Sequence, residues 1–436
     1  SAQGLNMIKN TLKITVRLLR RYKVFSFINI FGLAVGLAGT ILIFLWVQDE
    51  LSYDRFHENI DSLHIVMMES PGIGIYEYGP GPLGPALKNS FPDIRNTARI
   101  FGNASAPVKY EDKIFNSLLM GVDPAFFKMF TFPVIQGDSR NPLPGPQSMV
   151  LTKTTAAKLF GTSEAVGRTV AFEWWGTWHD FLVTAVIEDI PHNSHLQTDI
   201  ILPFPFVTLS GMDIEGWGVH AYRTYVQLEE GRDAAAVSQK ISNLLSKHRP
   251  ENPASLSLFS MARIHLHEPS GGGLIAYVYI FSFIGLLIMI VACINFMNLS
   301  TSRFARRALE VGLRKVVGST RPQLIRQFLG ESMILTFLAF ALALGLVSLL
   351  LPHFNRLLGK QMALSFSGIQ ILGFLCLALL TGLLAGSYPA FFLSSLRPGP
   401  MLKESRQGSN RSTRLRKVLF VFQFAISIFL ITSTLI

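Results

Sequence analysis

Long apolar runs constrain this chain more than any other feature of its sequence. Four runs are complete and a fifth is cut short: Val24 to Val47, Leu274 to Leu299, Met333 to Leu351, Ile369 to Phe392, and Val418 onward. An α-helix needs about 20 apolar residues to cross the hydrocarbon core of a bilayer. The sequence therefore predicts an α-helical membrane protein with four complete transmembrane helices and a truncated fifth. Since the fifth run is still apolar at Ile436, we expect an N-terminal fragment of a longer protein.

The first run follows a basic stretch, which is also a feature of cleaved signal peptides. The apolar core of a signal peptide has about 7 to 15 residues, fewer than this run contains. No small-x-small cleavage pattern follows it. We therefore interpret the run as an uncleaved span.

Lysine and arginine residues are concentrated in three segments beside the spans, residues 1–23, 303–326 and 397–417. Cytoplasmic segments of membrane proteins carry such an excess, so all three are predicted to be cytoplasmic. Residues 48–272 carry 25 acidic against 17 basic residues and are predicted to lie outside the cytoplasm. The formal net charge of +11 thus reflects orientation and attraction to lipid headgroups, and no nucleic-acid partner is expected.

The segment 48–272 has the mixed pattern of a large α+β extracytoplasmic domain between the first and second spans. Asp123 before a proline, Thr152 and Asp233 each stand where a helix N-cap is expected. Tyr222 to Leu228 alternates as a half-buried strand. No catalytic signature accompanies these elements, so the domain is interpreted as a module that binds a partner or bears force.

The segment between the second and third spans, Arg303 to Glu331, has the most informative pattern. It predicts an amphipathic helix lying against the membrane, with one apolar face: Leu309, Leu313, Val316 and Val317. Glu310 and Arg314 are spaced for a favourable i,i+4 pair on the other face.

A turn and a second helix are predicted to follow. Gly318 can end the first helix, and Thr320 to Gln323 has the spacing of a capping box with proline in the first turn. A helix-turn-helix of this kind can transmit displacement. A helix that only anchors the span at the interface is equally consistent with the pattern.

Motifs for catalysis or nucleotide binding are missing from the sequence. It has no G-x-x-x-x-G-K-[ST] P-loop and no G-x-S-x-G nucleophile elbow. His265 and His267 could share one side of a strand, but no third metal ligand is identifiable. We therefore expect no catalytic residue, metal site or cofactor in this chain, and any ATP would be bound by a partner subunit.

Small residues and tryptophans mark two further features. Gly32 with Gly36, and Gly382 with Gly386, form small-xxx-small faces that predict close helix packing. Three tryptophans flank a glycine: Trp174, Trp175 and Trp178. Docking to a partner or to lipid, and core packing beside a turn, both fit this arrangement.

Several stretches resemble the FtsX/MacB-type permeases of ABC transporters. They are Arg307 to Arg321 (RALEVGLRKVVGSTR), Gln327 to Glu331 (QFLGE), Lys23 to Gly36 (KVFSFINIFGLAVG), Gln48 to His57 (QDELSYDRFH), Ser148 to Gly161 and Asp189 to Gln197 (DIPHNSHLQ). The first two stretches resemble the permease hallmark, and the last two resemble parts of a MacB-like periplasmic core domain. The resemblance covers nearly the whole chain.

The resemblance implies a function and a set of site residues. Permeases of this type pair with a separate ABC ATPase subunit, which docks on a coupling helix and moves the periplasmic domain, a mode called mechanotransmission. The matching residues are Glu310, Val311, Gly312, Leu313, Arg314, Lys315 and Gly318. The implied setting is the cell inner membrane, with membrane lipid and a periplasmic adaptor or substrate protein as further partners. Since Leu415 to Leu419 resembles Arg21 to Phe25, we expect the long form, in which one chain repeats the unit.

The predicted organisation combines these runs with the resemblance. It begins with a cytoplasmic basic amphipathic helix (1–23), transmembrane helix 1 (24–47) and a MacB-like periplasmic core domain (48–272). An FtsX-like permease domain follows (273–396), with three transmembrane helices and a coupling helix near 303–331. A basic cytoplasmic linker (397–417) then leads to the start of transmembrane helix 5 (418–436). The expected function is export or extraction of a substrate, driven by the partner ATPase. The alternative is a transmembrane signal transducer that regulates a cell-wall hydrolase or senses antimicrobial peptides, and the sequence does not separate the two.

Overall fold

The computed structural model describes residues 17, 20–162, 164–251, 254–301, 311–365, 368–395 and 409–435. They fall into two compact units, with boundaries between Gln48 and Asp49 and between Ala276 and Tyr277. We call residues 49–276 the outer unit and the remainder the helical unit. The predicted basic helix (1–23) and the basic linker (397–417) lie mostly outside the described residues.

The helices are α1 (Lys23–Leu51), α2 (Leu83–Ser90), α3 (Phe126–Met129), α4 (Lys153–Phe160), α5 (Ala234–Ile241), α6 (Leu244–His248), α7 (Ile275–Thr301), α8 (Arg321–Leu358), α9 (Gly368–Ser394) and α10 (Ser409–Leu435). The strands are β1 (Leu63–Ser70), β2 (Gly74–Tyr76), β3 (Tyr78–Gly79), β4 (Ile94–Tyr110), β5 (Lys113–Val122), β6 (Val134–Gly137), β7 (Ser148–Thr152), β8 (Thr169–Trp174), β9 (Thr177–Ile187), β10 (Ile200–Pro203), β11 (Tyr222–Leu228) and β12 (Ser255–Ser260). The protein is thus an α-helical membrane protein whose α+β unit lies in sequence between the first span and the later ones.

Four of the described helices, α1, α7, α8 and α9, are long and apolar enough to cross a membrane. A shorter apolar stretch, Lys417–Thr432, lies within α10. The third of the four is 38 residues long and begins at Arg321, 12 positions before the apolar run. Its early start follows from the cap at Thr320, so the turn before the span and the span itself belong to one continuous helix.

Glycines stand where helices of the helical unit pack closely. A Cβ atom on Gly36 would overlap the Cβ of Ala292 in α7, and one on Gly32 would lie 3.2 Å from Asn295 Nδ2. A Cβ on Gly382 would overlap the sulfur of Met333 in α8. One on Gly386 would lie 2.7 Å from Ser332 Cβ. These four positions therefore set how near α1 approaches α7 and α9 approaches α8.

Replacing Gly36 by alanine is expected to lower the stability of the helical unit by about 1–3 kcal/mol, the usual cost of overpacking. The added methyl meets the backbone-bound Cβ of Ala292, which cannot rotate away. Gly345→Ala in α8 is the matched control, because no atom lies within 4 Å of its added Cβ. Thermal unfolding in detergent measures both; equal stability of the two variants would contradict the packing assignment.

A twelve-stranded mixed sheet forms the outer unit within the described residues. Its main order is β12-β1-β11-β4-β5-β10-β7-β9-β6, with β2, β3 and β8 pairing to its side. The pairs β5 with β10 and β7 with β9 are parallel, and the other pairs are antiparallel. Strand β12 is thus at one end of this order and β9 is next to the other end.

Local expectations for the outer unit were right at two caps and wrong at two other places. Thr152 and Asp233 accept backbone N–H groups as N-caps, as predicted. The helix expected after Asp123 instead begins at Phe126, because the Asp123 carboxylate is held by Arg99 at 2.8 Å. Strand β11 is buried on both faces rather than one, since it lies inside the sheet between β1 and β4.

Candidate coupling surfaces

The first candidate surface lies around the turn that precedes α8. We call residues 311–331 the elbow; they comprise a short helix, the turn and the beginning of α8. Residues 311–316 are helical. Gly318 adopts the left-handed conformation (φ 102°), and Ser319 N–H donates to Arg314 O at 2.9 Å across the helix end. Gln323 Oε1 then accepts the N–H of Thr320 at 2.9 Å, which caps the start of α8. The reversal between the two helices is therefore fixed by defined hydrogen bonds.

A small apolar core holds the two arms of the elbow together. Val311 is buried against Leu324 and Phe328 of α8 and against Ala390 of α9. Gly312 is also buried. These contacts attach the short helix to two long helices, so the elbow is a packed part of the helical unit.

Polar contacts add to this attachment. The Arg314 guanidinium donates to Gln327 Oε1, and Gln327 Nε2 donates to the buried Glu331 at 3.1 Å. Lys315 Nζ donates to Ser394 O at the end of α9, at 2.7 Å. Hydrogen bonds of the two basic residues thus connect the short helix to α8 and α9.

The apolar stripe predicted for this helix is mostly exposed. Leu313, Val316 and Val317 are 54%, 65% and 86% accessible, and we call them the apolar trio. The residue that packs inward is Val311, which the predicted stripe did not include. Leu309 and Glu310 lie outside the described residues, and with them the expected pair of Glu310 with Arg314. Within the described part of the chain, the trio is therefore an exposed apolar surface.

The second candidate surface lies at the end of α1, where sequence reasoning named no site residues. Asp49 and Glu50 are in the last turn of α1 and belong to the outer unit. Asp49 Oδ1 lies 2.7 Å from His192 Nε2, and Glu50 Oε2 lies 2.5 Å from His265 Nε2. Both carboxylates are nearly inaccessible, with 7% and 5% of their side-chain surface exposed.

Asp54, just beyond the helix, is the most deeply buried acid of this region. Its Oδ1 accepts hydrogen bonds from the Ser194 hydroxyl at 3.2 Å and from the backbone N–H of His195 at 3.0 Å. His195 Nδ1 lies 2.9 Å from Asp54 Oδ2. Burial raises the pKa of Asp54, but the hydrogen bonds and charge of His195 outweigh it and keep that pKa below its usual range.

We call these residues the junction cluster: Asp49, Glu50, Asp54, His192, His195 and His265. Its acids come from the stretch QDELSYDRFH and two of its histidines from DIPHNSHLQ, so two stretches far apart in sequence bind each other. The available signal was the pair of acids at the end of a span. Its partners could not be assigned, because ten histidines compete for them in the sequence.

His57 is a buried neutral histidine beside the cluster. Its Nδ1 accepts the Thr131 N–H at 3.0 Å, and the rings of Phe130 and Phe132 lie against it. Burial lowers the pKa of His57 to about 4, and the charge of Asp54 offsets this only partly. Protonation at Nδ1 would therefore break a hydrogen bond inside an aromatic pocket.

The outer unit is expected to lose stability as the pH falls from 6.5 to 4. Over this range His57 becomes protonated in the unfolded chain but stays neutral in the folded chain. The free energy of unfolding therefore falls by up to about 3 kcal/mol. His57→Asn cannot charge and keeps an acceptor for Thr131, so it should flatten this part of the profile. Denaturant unfolding between pH 4 and 7.5 tests this; identical slopes in both proteins would contradict it.

The structure describes the surroundings of the histidines and tryptophans that the sequence analysis singled out. His265 follows a 3-10 turn rather than a strand, and it bonds Glu50. No group of three or more metal-binding side chains occurs among the described residues. Trp174 packs in the core against Phe206, whereas Trp175 at the β8–β9 turn is 78% exposed. The tryptophans thus divide between core packing and surface exposure.

Comparison with known proteins places these features in a family. Residues 26–244 match the MacB-like periplasmic core domain, and residues 282–398 match the FtsX-like permease C-terminal domain. The chain is 24% identical over 408 residues to the macrolide export ATP-binding/permease protein MacB of Shewanella sp. (strain ANA-3), covering 89% of this chain and 59% of that protein. It is 24% identical over 335 residues to the pyoverdine export ATP-binding/permease protein PvdT of Pseudomonas fluorescens (strain Pf0-1), covering 71% and 46%.

Among solved structures, the periplasmic region of MacB from Actinobacillus actinomycetemcomitans matches with a TM-score of 0.37 and 15% identity, over 47% of this chain and 92% of that one. The chain spans between 47% and 59% of the length of the first curated relatives it matches. The matched domains together extend over most of the residues described above. The chain belongs to the family of permeases with a MacB-like periplasmic core domain and an FtsX-like permease domain.

Proposed function

We propose that this chain is the membrane subunit of an ABC transporter in which a separate ATPase moves the outer unit. The observation that carries the proposal is the apolar trio on the elbow. Three large aliphatic side chains are held on a turn that is braced by hydrogen bonds and by its own apolar core. Exposed apolar surface on a rigid support is typical of a docking site.

The charge around the trio indicates what kind of partner surface would fit. Arg321 and Arg326 are exposed on the adjoining turn of α8, and Arg314 and Lys315 are partly exposed. Partial burial, and then the charge of Arg321, lower the pKa of Lys315 below its ordinary value. An apolar centre with a basic rim favours a partner groove that is apolar inside and acidic at its edge.

The proposal assigns a side of the membrane to each unit. The elbow would lie in the cytoplasm with the ATPase, and the outer unit in the periplasm, as the positive-inside pattern predicts for a protein of the inner membrane. ATP would be bound by the partner subunit, as in the permeases that the chain resembles, and residues 1–436 themselves carry no P-loop. In this proposal the described helical unit receives the force that the ATPase generates.

The relatives named above export a macrolide or pyoverdine, which supports an export role for this chain. We place contact with a substrate, or with a periplasmic adaptor protein, on the outer unit. The signal-transducer alternative uses the same elbow and outer unit, so the fate of a substrate separates them. ATP-dependent release of substrate from proteoliposomes supports export; ATP-dependent activation of a cell-wall hydrolase without release supports signalling.

Val317→Glu is expected to weaken docking of the ATPase by about tenfold, since a charge would have to be buried at the centre of the interface. Val317 is 86% exposed, so the fold itself should be unaffected. Leu357→Glu is the matched control, because Leu357 is 81% exposed near the other end of α8. The readout is ATP turnover as a function of ATPase concentration in nanodiscs. Equal stimulation by both variants would count against the proposal.

A further inference from the structure

We propose that the junction cluster is the positioning device that passes movement of α1 to the outer unit. The inference rests on the proposed function, but it concerns a different site and different residues. It assigns roles to the pairs of Asp49 with His192 and of Glu50 with His265. These residues touch neither ATP nor a substrate in this account, so they position the outer unit and do no chemistry.

The first span and two acids of the junction cluster, Asp49 and Glu50, belong to one continuous helix. The helix has no break from Lys23 to Leu51, so a displacement of the span reaches Asp49 and Glu50 without passing through a loop. The hydrogen bonds of an α-helix make it stiff along its axis. What the last turn of α1 contacts therefore moves with it.

The two histidines come from segments that follow different strands of the sheet. His192 follows β9, close to one end of the sheet order, and His265 follows β12, at the opposite end. Strand β9 is also joined to β4 through β8. A single turn of helix thus bonds segments that follow two strands far apart in the sheet order, and a displacement of that turn would act on both strands rather than on one.

The chain just beyond the end of α1 is held by several short contacts. Asp54 N–H donates to Asn193 O at 2.8 Å, and Asn193 Nδ2 donates to Ser52 Oγ at 2.9 Å. The Tyr53 ring stacks on His265, with centroids 3.4 Å apart and planes within 2°. The chain after α1 therefore cannot swing freely about the helix end. A flexible linker at this point would absorb the displacement, whereas residues 52–54 are held by several short contacts.

Burial of the two carboxylates gives each pair its strength. A carboxylate removed from water without a partner is costly, so separating either pair is strongly opposed. His192 and His265 are each partly exposed, which allows their replacement without opening the core. The two pairs can therefore be tested by substitution independently of Asp54, whose side chain is buried.

The test uses the full chain with its ATPase in nanodiscs and compares hydrogen–deuterium exchange with and without a non-hydrolysable ATP analogue. In the double variant His192→Ala/His265→Ala we expect the nucleotide-dependent change at the elbow to persist. The nucleotide-dependent difference in exchange of β11 and β12 should become at least about fivefold smaller, which is the low end of ordinary coupling between sites. Conservative replacement of both histidines by glutamine keeps a hydrogen-bond donor and should restore much of the response.

Lys240→Ala is the matched control, because Lys240 pairs with Asp93 at 2.6 Å within the same unit, away from the cluster. It should leave the response of β11 and β12 intact. An unchanged response in the double variant, or equal loss in the control, would overturn the proposal. If the double variant does not fold, the exchanged pair Asp49→His/His192→Asp takes its place, and failure to recover the response in it counts against the role. Absence of a nucleotide effect at the wild-type elbow would instead reject the proposed function.

Discussion

Replacing Asp54 by alanine is expected to destabilise the outer unit by about 3–5 kcal/mol, the usual cost of removing one partner from a buried charged pair. The change leaves the Ser194 hydroxyl and the His195 backbone N–H without their acceptor. Alanine must also adopt the left-handed conformation of this position (φ 59°), which costs roughly 1 kcal/mol more. A stability loss of this size is a large part of what holds an ordinary domain folded.

Asp54→Asn is the informative comparison. Asparagine tolerates the left-handed conformation and keeps an acceptor oxygen, so it removes mainly the charge. Its loss should be clearly smaller than that of Asp54→Ala. Denaturant unfolding of the full chain in detergent, followed by exchange in the outer unit, measures both. A loss below about 1 kcal/mol for alanine, the scale of an ordinary hydrogen bond, would contradict the assigned role.

Phe328→Ala is expected to reduce ATP turnover with the partner to the level of the ATPase alone. The ring is buried in one apolar cluster with Val311 and Ala390, and its removal creates a cavity that costs about 3–5 kcal/mol. A loss of this size exceeds what a short helix at a turn can withstand, so the apolar trio would lose its fixed geometry.

Phe337→Ala serves as the control for Phe328→Ala. It changes the same residue type on the same helix, but Phe337 is 42% exposed. Its turnover should stay close to that of the wild-type protein. Full stimulation by Phe328→Ala, with the variant correctly inserted, would show that a rigid elbow is not required.

The elements that sequence predicted well have strong local causes. The cap at Thr320 and the turn at Gly318 follow from side chains within four residues of each other, which the chain order displays directly. The four spans follow from hydrophobicity alone. Gly36 and Gly382 were identified by spacing, although which helix each meets depends on the tertiary fold.

The elements that sequence missed depend on distant partners. Asp49 meets His192 across 143 positions, and no pattern in either stretch specifies the other. Val311 packs inward because α8 and α9 approach it, whereas helical periodicity identified only the apolar face predicted to lie against the membrane, which contains Leu313. Likewise, Asp123 lost its expected cap role because Arg99 competes for the carboxylate. In each case a tertiary contact outweighed a local preference.

The central claim is that the apolar trio docks on a nucleotide-hydrolysing partner. A photo-crosslinking amino acid placed at Val317 of the full chain tests it most directly, with the same group at Leu357 as the control. We expect a crosslink to the ATPase from position 317 and none from position 357. Crosslinking to lipid alone at position 317, or equal capture of the ATPase from both positions, would contradict it.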